Sequence, residues 1–137
     1  MRLPNLKDDF WELISAEMQH EKHPETFWIP TEAERHNVTR GQAVKLLFKV
    51  QLEDEDCEIS YGVERMWLIV SDVICDYCIG ILINEPSLFI PSENDYLCYG
   101  AEIPFLAEHI ADIDDPPKEY SDWQLNQPPE RIWPRED

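Results

Sequence analysis

Apolar residues run almost without a break through Glu64-Arg65-Met66-Trp67-Leu68-Ile69-Val70 and again through Tyr77-Cys78-Ile79-Gly80-Ile81-Leu82-Ile83-Asn84. Unbroken runs of this kind mark strands covered on both faces, whereas half-exposed strands alternate. The two are therefore predicted to be central, neighbouring strands of one sheet, joined by a turn near Asp72 to Asp76, with Trp67 in the core. The stretch from Ala43 to Leu52 differs. Val44, Leu46, Phe48, Val50 and Leu52 alternate with Lys45, Lys49 and Gln51, which predicts a strand with one wet face.

Near the N-terminus the period changes. Leu6, Phe10, Leu13, Ile14 and Met18 recur at helical spacing, with Trp11 at the edge of the stripe. Asn5 can cap this helix, which is predicted to lay one face on the sheet and to end before Pro24. Thr31 followed by Glu34 is a capping-box pattern and predicts a brief helix from Glu32 to His36. Asn37 to Gly41 and Tyr99-Gly100 read as turns, Ala101 to Phe105 as a last short strand, and Leu106 to Ile110 as one helical turn. Leu88, Phe89 and Ile90 are expected to tuck under the loop from Ser87 to Asn94.

From Asp114 the texture changes. Pro116-Pro117 and Pro128-Pro129, with few aliphatic residues, argue against regular structure. Trp123, Ile132 and Trp133 are nevertheless costly in a free tail, so the tail is expected to wrap the domain or to dock on a partner. Residues 1–113 then form a single α+β domain and residues 114–137 a proline-rich acidic tail. The predicted fold is a curved, partly barrel-like antiparallel sheet of about four or five strands, with an N-terminal helix packed on one face.

Charge changes the picture more than length does. Among 137 residues, 29 Asp and Glu face 11 Lys and Arg, a formal net charge of −18. Nucleic acids and anionic membranes would repel such a chain, and a basic protein would attract it. Met1 to Asp9 lack the apolar core and small-residue cleavage site of a secretion signal, and no apolar run is long enough to span a bilayer. A cytoplasmic protein with four reduced cysteines is expected.

No catalytic motif of high specificity appears. Cys75-Asp76-Tyr77-Cys78 has the spacing of a zinc or redox pair, but no second paired motif completes it, and free structural thiols are expected, with no metal and no cofactor. Glu53-Asp54-Glu55-Asp56 and Asp112-Ile113-Asp114-Asp115 lack the glycine and terminal Glu of a calcium loop and read as solvated acidic segments. His109 follows Glu108 and has no recognisable nucleophile to serve. Should a pocket form at the end of the central strand, Glu64, Arg65, Trp67, Asn84 and His109 are the residues predicted around it. Arg65 there would suit a carboxylate or phosphate.

Glu64-Arg65-Met66-Trp67, Gly80-Ile81-Leu82-Ile83-Asn84-Glu85-Pro86 and Gly100-Ala101-Glu102-Ile103-Pro104-Phe105, with Glu108-His109-Ile110, together resemble a family of small bacterial domains of unknown function. That family's pattern is E-R-M-W-x-x-V, G-x-L-x-N-x-P and G-D-x-V-x-F. The resemblance covers roughly residues 27–115, and Ala101 departs from it where the pattern has Asp. Some relatives sit near toxin–immunity systems, so the resemblance implies binding more than catalysis.

The leading expectation is a non-enzymatic protein-binding domain, of the kind that masks a basic partner in immunity systems. Glu53, Asp54, Glu55 and Asp56 would steer the encounter, and Trp123 and Trp133 would anchor it if the tail were free. The alternatives are a small hydrolase or small-ligand domain with a site near Glu64 and Arg65, and an acidic mimic of nucleic acid.

Overall fold

The computed structural model describes residues 1–135. Its centre is a long antiparallel hairpin of β2 (Ala43–Glu53) and β3 (Ile59–Ile74), in register from Ala43 opposite Ile69 to Glu53 opposite Ile59. Opposed residues share a face. Val44, Leu46, Phe48 and Val50 therefore meet Met66, Leu68 and Val70 on the inner side, and all seven are buried. Strand β4 (Tyr77–Leu82) folds back on β3 through the two-residue turn Cys75-Asp76, where the predicted turn lies, with Cys75 in the left-handed region at φ 56°. The strands approach closely at Gly80, where a Cβ would stand 2.9 Å from the Leu68 side chain. β5 (Glu102–Phe105) adds beyond β4, and β6 (Ile110–Asp114) pairs with the first half of β2.

That order dictates the shape. In a flat sheet β5 and β6 would lie four strand spacings apart, about 19 Å. The chain between Phe105 and Ile110 includes a 3-10 turn, Ala107–His109, and such a link reaches only about 13 Å. The sheet must curl until its edges approach, which gives a half-barrel around one core. The α+β architecture with a curved antiparallel sheet is thus as predicted, with six strands rather than four or five.

The N-terminal stretch corrects one expectation. It is not one helix but α1 (Leu6–Asp9), β1 (Trp11–Ile14) and α2 (Ala16–Lys22). Asn5 caps α1 as expected, but Phe10 turns left-handed at φ 67°, and Ser15 caps a second helix. β1 pairs Leu47–Val50 of β2, the half that β6 leaves free. An uncovered edge of unpaired backbone groups outweighs helical periodicity here. Trp11 and Leu13 turn inward opposite Val50 and Phe48, while Phe10 and Met18 are exposed. The predicted short helix is α3 (Glu32–His36), with its Thr31–Glu34 capping box complete.

Three further expectations are corrected. Trp67 is half-buried rather than in the core. It lies on the outer face opposite Lys45, because the apolar run through β3 alternates inside and outside. The tail contains α4 (Lys118–Leu125), which begins directly after Pro116-Pro117 with Pro117 at its cap. Proline is compatible with a helix start and not with its interior. Ile90 is not tucked away but 94% exposed, and Leu88 is also exposed, although Phe89 packs against the core. Among the described residues no helix is long and apolar enough to cross a membrane.

Candidate functional site

A concavity of about 600 Å³ opens at the end of the half-barrel where β2 finishes. One wall is Asp9, Phe10 and Trp11, the second is Val50 to Glu53, and the third is the loop carrying Leu88, Phe89, Ile90 and residues 94–97. Phe10 faces solvent because the left-handed turn that ends α1 leaves its side chain without a core partner. Leu88 is held over the cleft by Glu64. The Glu64 carboxylate accepts hydrogen bonds from the backbone N–H of Ser87 at 2.7 Å, from the Ser87 hydroxyl at 3.0 Å and from the N–H of Leu88 at 3.1 Å. Asp95 fixes the far side of the loop by accepting from the Ser92 N–H and hydroxyl.

The floor is aromatic. Trp11 stacks on Tyr96 and meets Phe48 and Trp133, with ring centroids about 6 Å apart. Trp11 is 3% exposed, and its indole Nε1 is the one buried side-chain nitrogen or oxygen among the described residues that has no hydrogen-bond partner. A buried donor without an acceptor costs about 1–3 kcal/mol. The rim is acidic. Asp95 and Glu53 line the cleft, Asp9 does so while paired with Arg2, and Glu53 leads into the exposed loop Asp54 to Asp56.

The residues predicted to surround one pocket do not converge. Arg65 and Trp67 project from the outer face of β3. Asn84 accepts from the Trp67 N–H at 2.6 Å and so extends the sheet's hydrogen bonding past the end of β4. Glu64 is a loop clamp, not a ligand-facing acid. His109 sits in the link between β5 and β6, buried, with its Nδ1 accepting from the Leu106 N–H at 3.0 Å. Burial pushes its pKa down to about 4. It is neutral at physiological pH and shapes the turn.

Nor do the proposed partner anchors form one surface. Trp133 is 2% exposed and buried in the aromatic cluster, so it cannot serve as a free anchor. Its backbone N–H donates to Glu102 Oε1 at 2.9 Å, its Nε1 donates to the Arg2 carbonyl at 3.0 Å, and Arg135 closes the pair with Glu102. Trp123 is exposed beside Tyr120 on α4. That helix is tied by Ser121 to Gly41, next to the start of β2, while the acidic loop follows the end of β2. Eleven strand residues, roughly 33 Å, separate the two.

A second concavity of about 350 Å³ gathers Glu17, Glu32, Asp76 and Glu108 around Arg35, with Cys75 and Cys78 in its wall. Arg35 is already bonded to Glu17 and to the Pro30 carbonyl. Burial raises the Cys78 thiol to about 11, far from the thiolate that metal binding or redox exchange needs. No group of three or more metal-ligating side chains occurs among the described residues. A third hollow, about 140 Å³, lies on the outer face between Thr26, Phe27 and Trp28, Lys45 and Leu47 of β2, Arg65 of β3, and Ala111.

The sequence held one sign of the large cleft that periodicity could not use. Leu88-Phe89-Ile90 is an apolar triplet between Pro86 and Pro91, too short for a buried strand and in no helical pattern. Comparison with known protein families, with curated proteins and with solved structures finds no match, so the geometry alone carries the functional argument.

Proposed function

We propose that the protein is a non-enzymatic binding domain that docks an amphipathic, basic segment of another protein in the cleft between Phe10 and Leu88. The observation that carries this is the pairing of an apolar lining with an acidic rim on a chain of net charge −18. Apolar anchors hold a complex, and rim charges steer its formation. Burying what Phe10, Leu88 and Ile90 still expose contributes about 3–6 kcal/mol gross, no more than the low end of the ~4–15 kcal/mol that association costs. The apolar wall therefore needs help, which a basic partner supplies through faster encounter with the acidic rim. Masking of a basic partner in an immunity-type role, inside a reducing compartment that suits four free cysteines, is the finer form of this proposal.

A fluorescein-labelled synthetic peptide alternating Leu and Lys tests it. Leu88→Asp is expected to weaken binding roughly tenfold, about 1.4 kcal/mol, mainly by speeding dissociation. Replacing Glu53, Asp54, Glu55 and Asp56 by their amides is expected to slow association, as added salt does. Equal affinity for wild type and Leu88→Asp would remove the cleft from the proposal. Equal binding of a peptide with Glu in place of Lys would remove the basic partner.

A further inference from the structure

We infer that the hollow between the Phe27-Trp28 segment and the outer face of β2 and β3 is a second, separate binding site, for a small soluble carboxylate or phosphate monoester with an aromatic or apolar body. The case starts from Arg65. Arg2, Arg35 and Arg135 are each paired with a carboxylate, while Arg40 and Arg131 donate to backbone carbonyls. Arg65 alone among the arginines has no hydrogen-bond acceptor within the described residues. Its guanidinium rests only against the Phe27 ring, 5.7 Å from the centroid. In a chain with 29 carboxylates, an arginine that meets none of them leaves a fork of five donors open.

The surroundings fit the same ligand. Lys45 also lines the hollow, over the Trp67 ring and in a long ion pair with Asp112 at 3.9 Å, which a ligand anion would compete with. Buried Leu47 forms the floor. No carboxylate is among the described side chains that line the hollow. Exposed charges farther than a Debye length, ~8 Å at physiological salt, are largely screened, so the net charge of −18 does not decide the local field. The aromatic wall is preset. The Phe27 N–H donates to the His23 carbonyl at 2.8 Å, the Phe27 carbonyl lies 2.7 Å from His20 Nδ1, and the Trp28 indole donates to the Glu25 carbonyl. At 140 Å³ the hollow falls well below the ~300–1,000 Å³ of drug-sized sites, which restricts it to a head group and one ring.

Nuclear magnetic resonance titration of the full chain with phenyl phosphate, benzoate, inorganic phosphate and benzyl alcohol tests this. Phenyl phosphate and benzoate are expected to give saturable shifts centred on Arg65, Lys45 and the Trp28 indole, at least tenfold tighter than inorganic phosphate, with none from benzyl alcohol. Arg65→Gln and Lys45→Gln, both on the outer face, are each expected to weaken that binding about tenfold or more, and Leu88→Asp to leave it unchanged. Vesicles containing phosphatidic acid separate a lipid head group from a soluble ligand and are expected not to retain the protein. The inference is overturned if the soluble anions give no saturable shift at millimolar concentration. Binding that survives Arg65→Gln, or that occurs on vesicles alone, overturns it as well.

Discussion

Residues 84–97 and residues 114–135 are both proline-bearing stretches with few aliphatic residues, yet they are held in different ways. The tail is pinned by apolar and polar contacts together. Trp133 enters the core, its two N–H groups reach Glu102 and Arg2, and Ser121 and Gln124 bond to Gly41 and Tyr99. The loop is pinned at its tip by Glu64 and Asp95 and by Phe89, which packs against the core, while Leu88 and Ile90 on either side of Phe89 stay exposed. An irregular segment joins the core where an aromatic side chain supplies burial and its N–H groups find acceptors. Where carboxylates grip backbone N–H groups and serine hydroxyls, the apolar side chains at 88 and 90 are left for something else to cover.

The largest expected effect breaks the tail side of this contrast. Trp133→Ala removes a fully buried aromatic that touches Trp11 and Tyr96. Truncation of this kind costs ~3–5 kcal/mol. Chemical denaturation measures it, and a loss below about 1 kcal/mol would mean that the tail decorates the domain without stabilising it.

A third irregular link, Leu106 to His109, sharpens the comparison, because a buried neutral imidazole fixes it. The pKa of His109 lies near 4 in the fold, against about 6.5 in the unfolded chain. Below pH 6.5 the unfolded chain takes up a proton that the folded one refuses. Stability is therefore full above pH 6.5 and falls as the pH drops toward 4, by at most about 3 kcal/mol. Denaturation at pH 7.5 and pH 4.5 should show a smaller difference in His109→Gln than in wild type. Parallel losses in both would assign the acid sensitivity to other groups.

Glu102→Ala comes next. It leaves the Trp133 N–H without its acceptor and releases Arg135 from its bidentate pair. Orphaning a buried donor costs about 1–3 kcal/mol, and Arg135 is exposed enough to find water instead. An effect as large as that of Trp133→Ala would show that the carboxylate, not the indole, holds the tail.

Local signals in the sequence predicted much of this fold. The alternation of β2, the turn within Asp72 to Asp76 and the Thr31–Glu34 capping box each sit within a few residues and need no tertiary context. β1 was not legible, because Leu6, Phe10, Leu13, Ile14 and Met18 fit a helix as well as Trp11 and Leu13 fit a strand. The vacant half of β2's edge decides between them, and that edge is far along the chain. Trp67 misled because a continuous apolar run conceals which side each residue takes. Glu64 reads as a ligand residue from its place in the strand and holds the loop instead, since the residues it grips, Ser87 and Leu88, are distant in sequence. The cleft needs Phe10, Leu52 and Leu88 together, and nothing local joins them.

The smallest expected effect on stability tests the loop side. Ile90 is 94% exposed and makes no buried contact, so Ile90→Ser is expected to change stability by less than about 0.5 kcal/mol. An apolar side chain that contributes nothing to the fold, on a rim whose backbone is clamped, is a candidate anchor for a partner. The same variant should therefore bind the Leu–Lys peptide several-fold more weakly than wild type, with the association rate unchanged, because it removes packing and leaves the steering charges in place. Measured side by side, unchanged denaturation with faster peptide dissociation would separate a docking residue from a folding residue. Loss of stability with unchanged peptide binding would reverse the contrast and place Ile90 among the contacts that hold the loop.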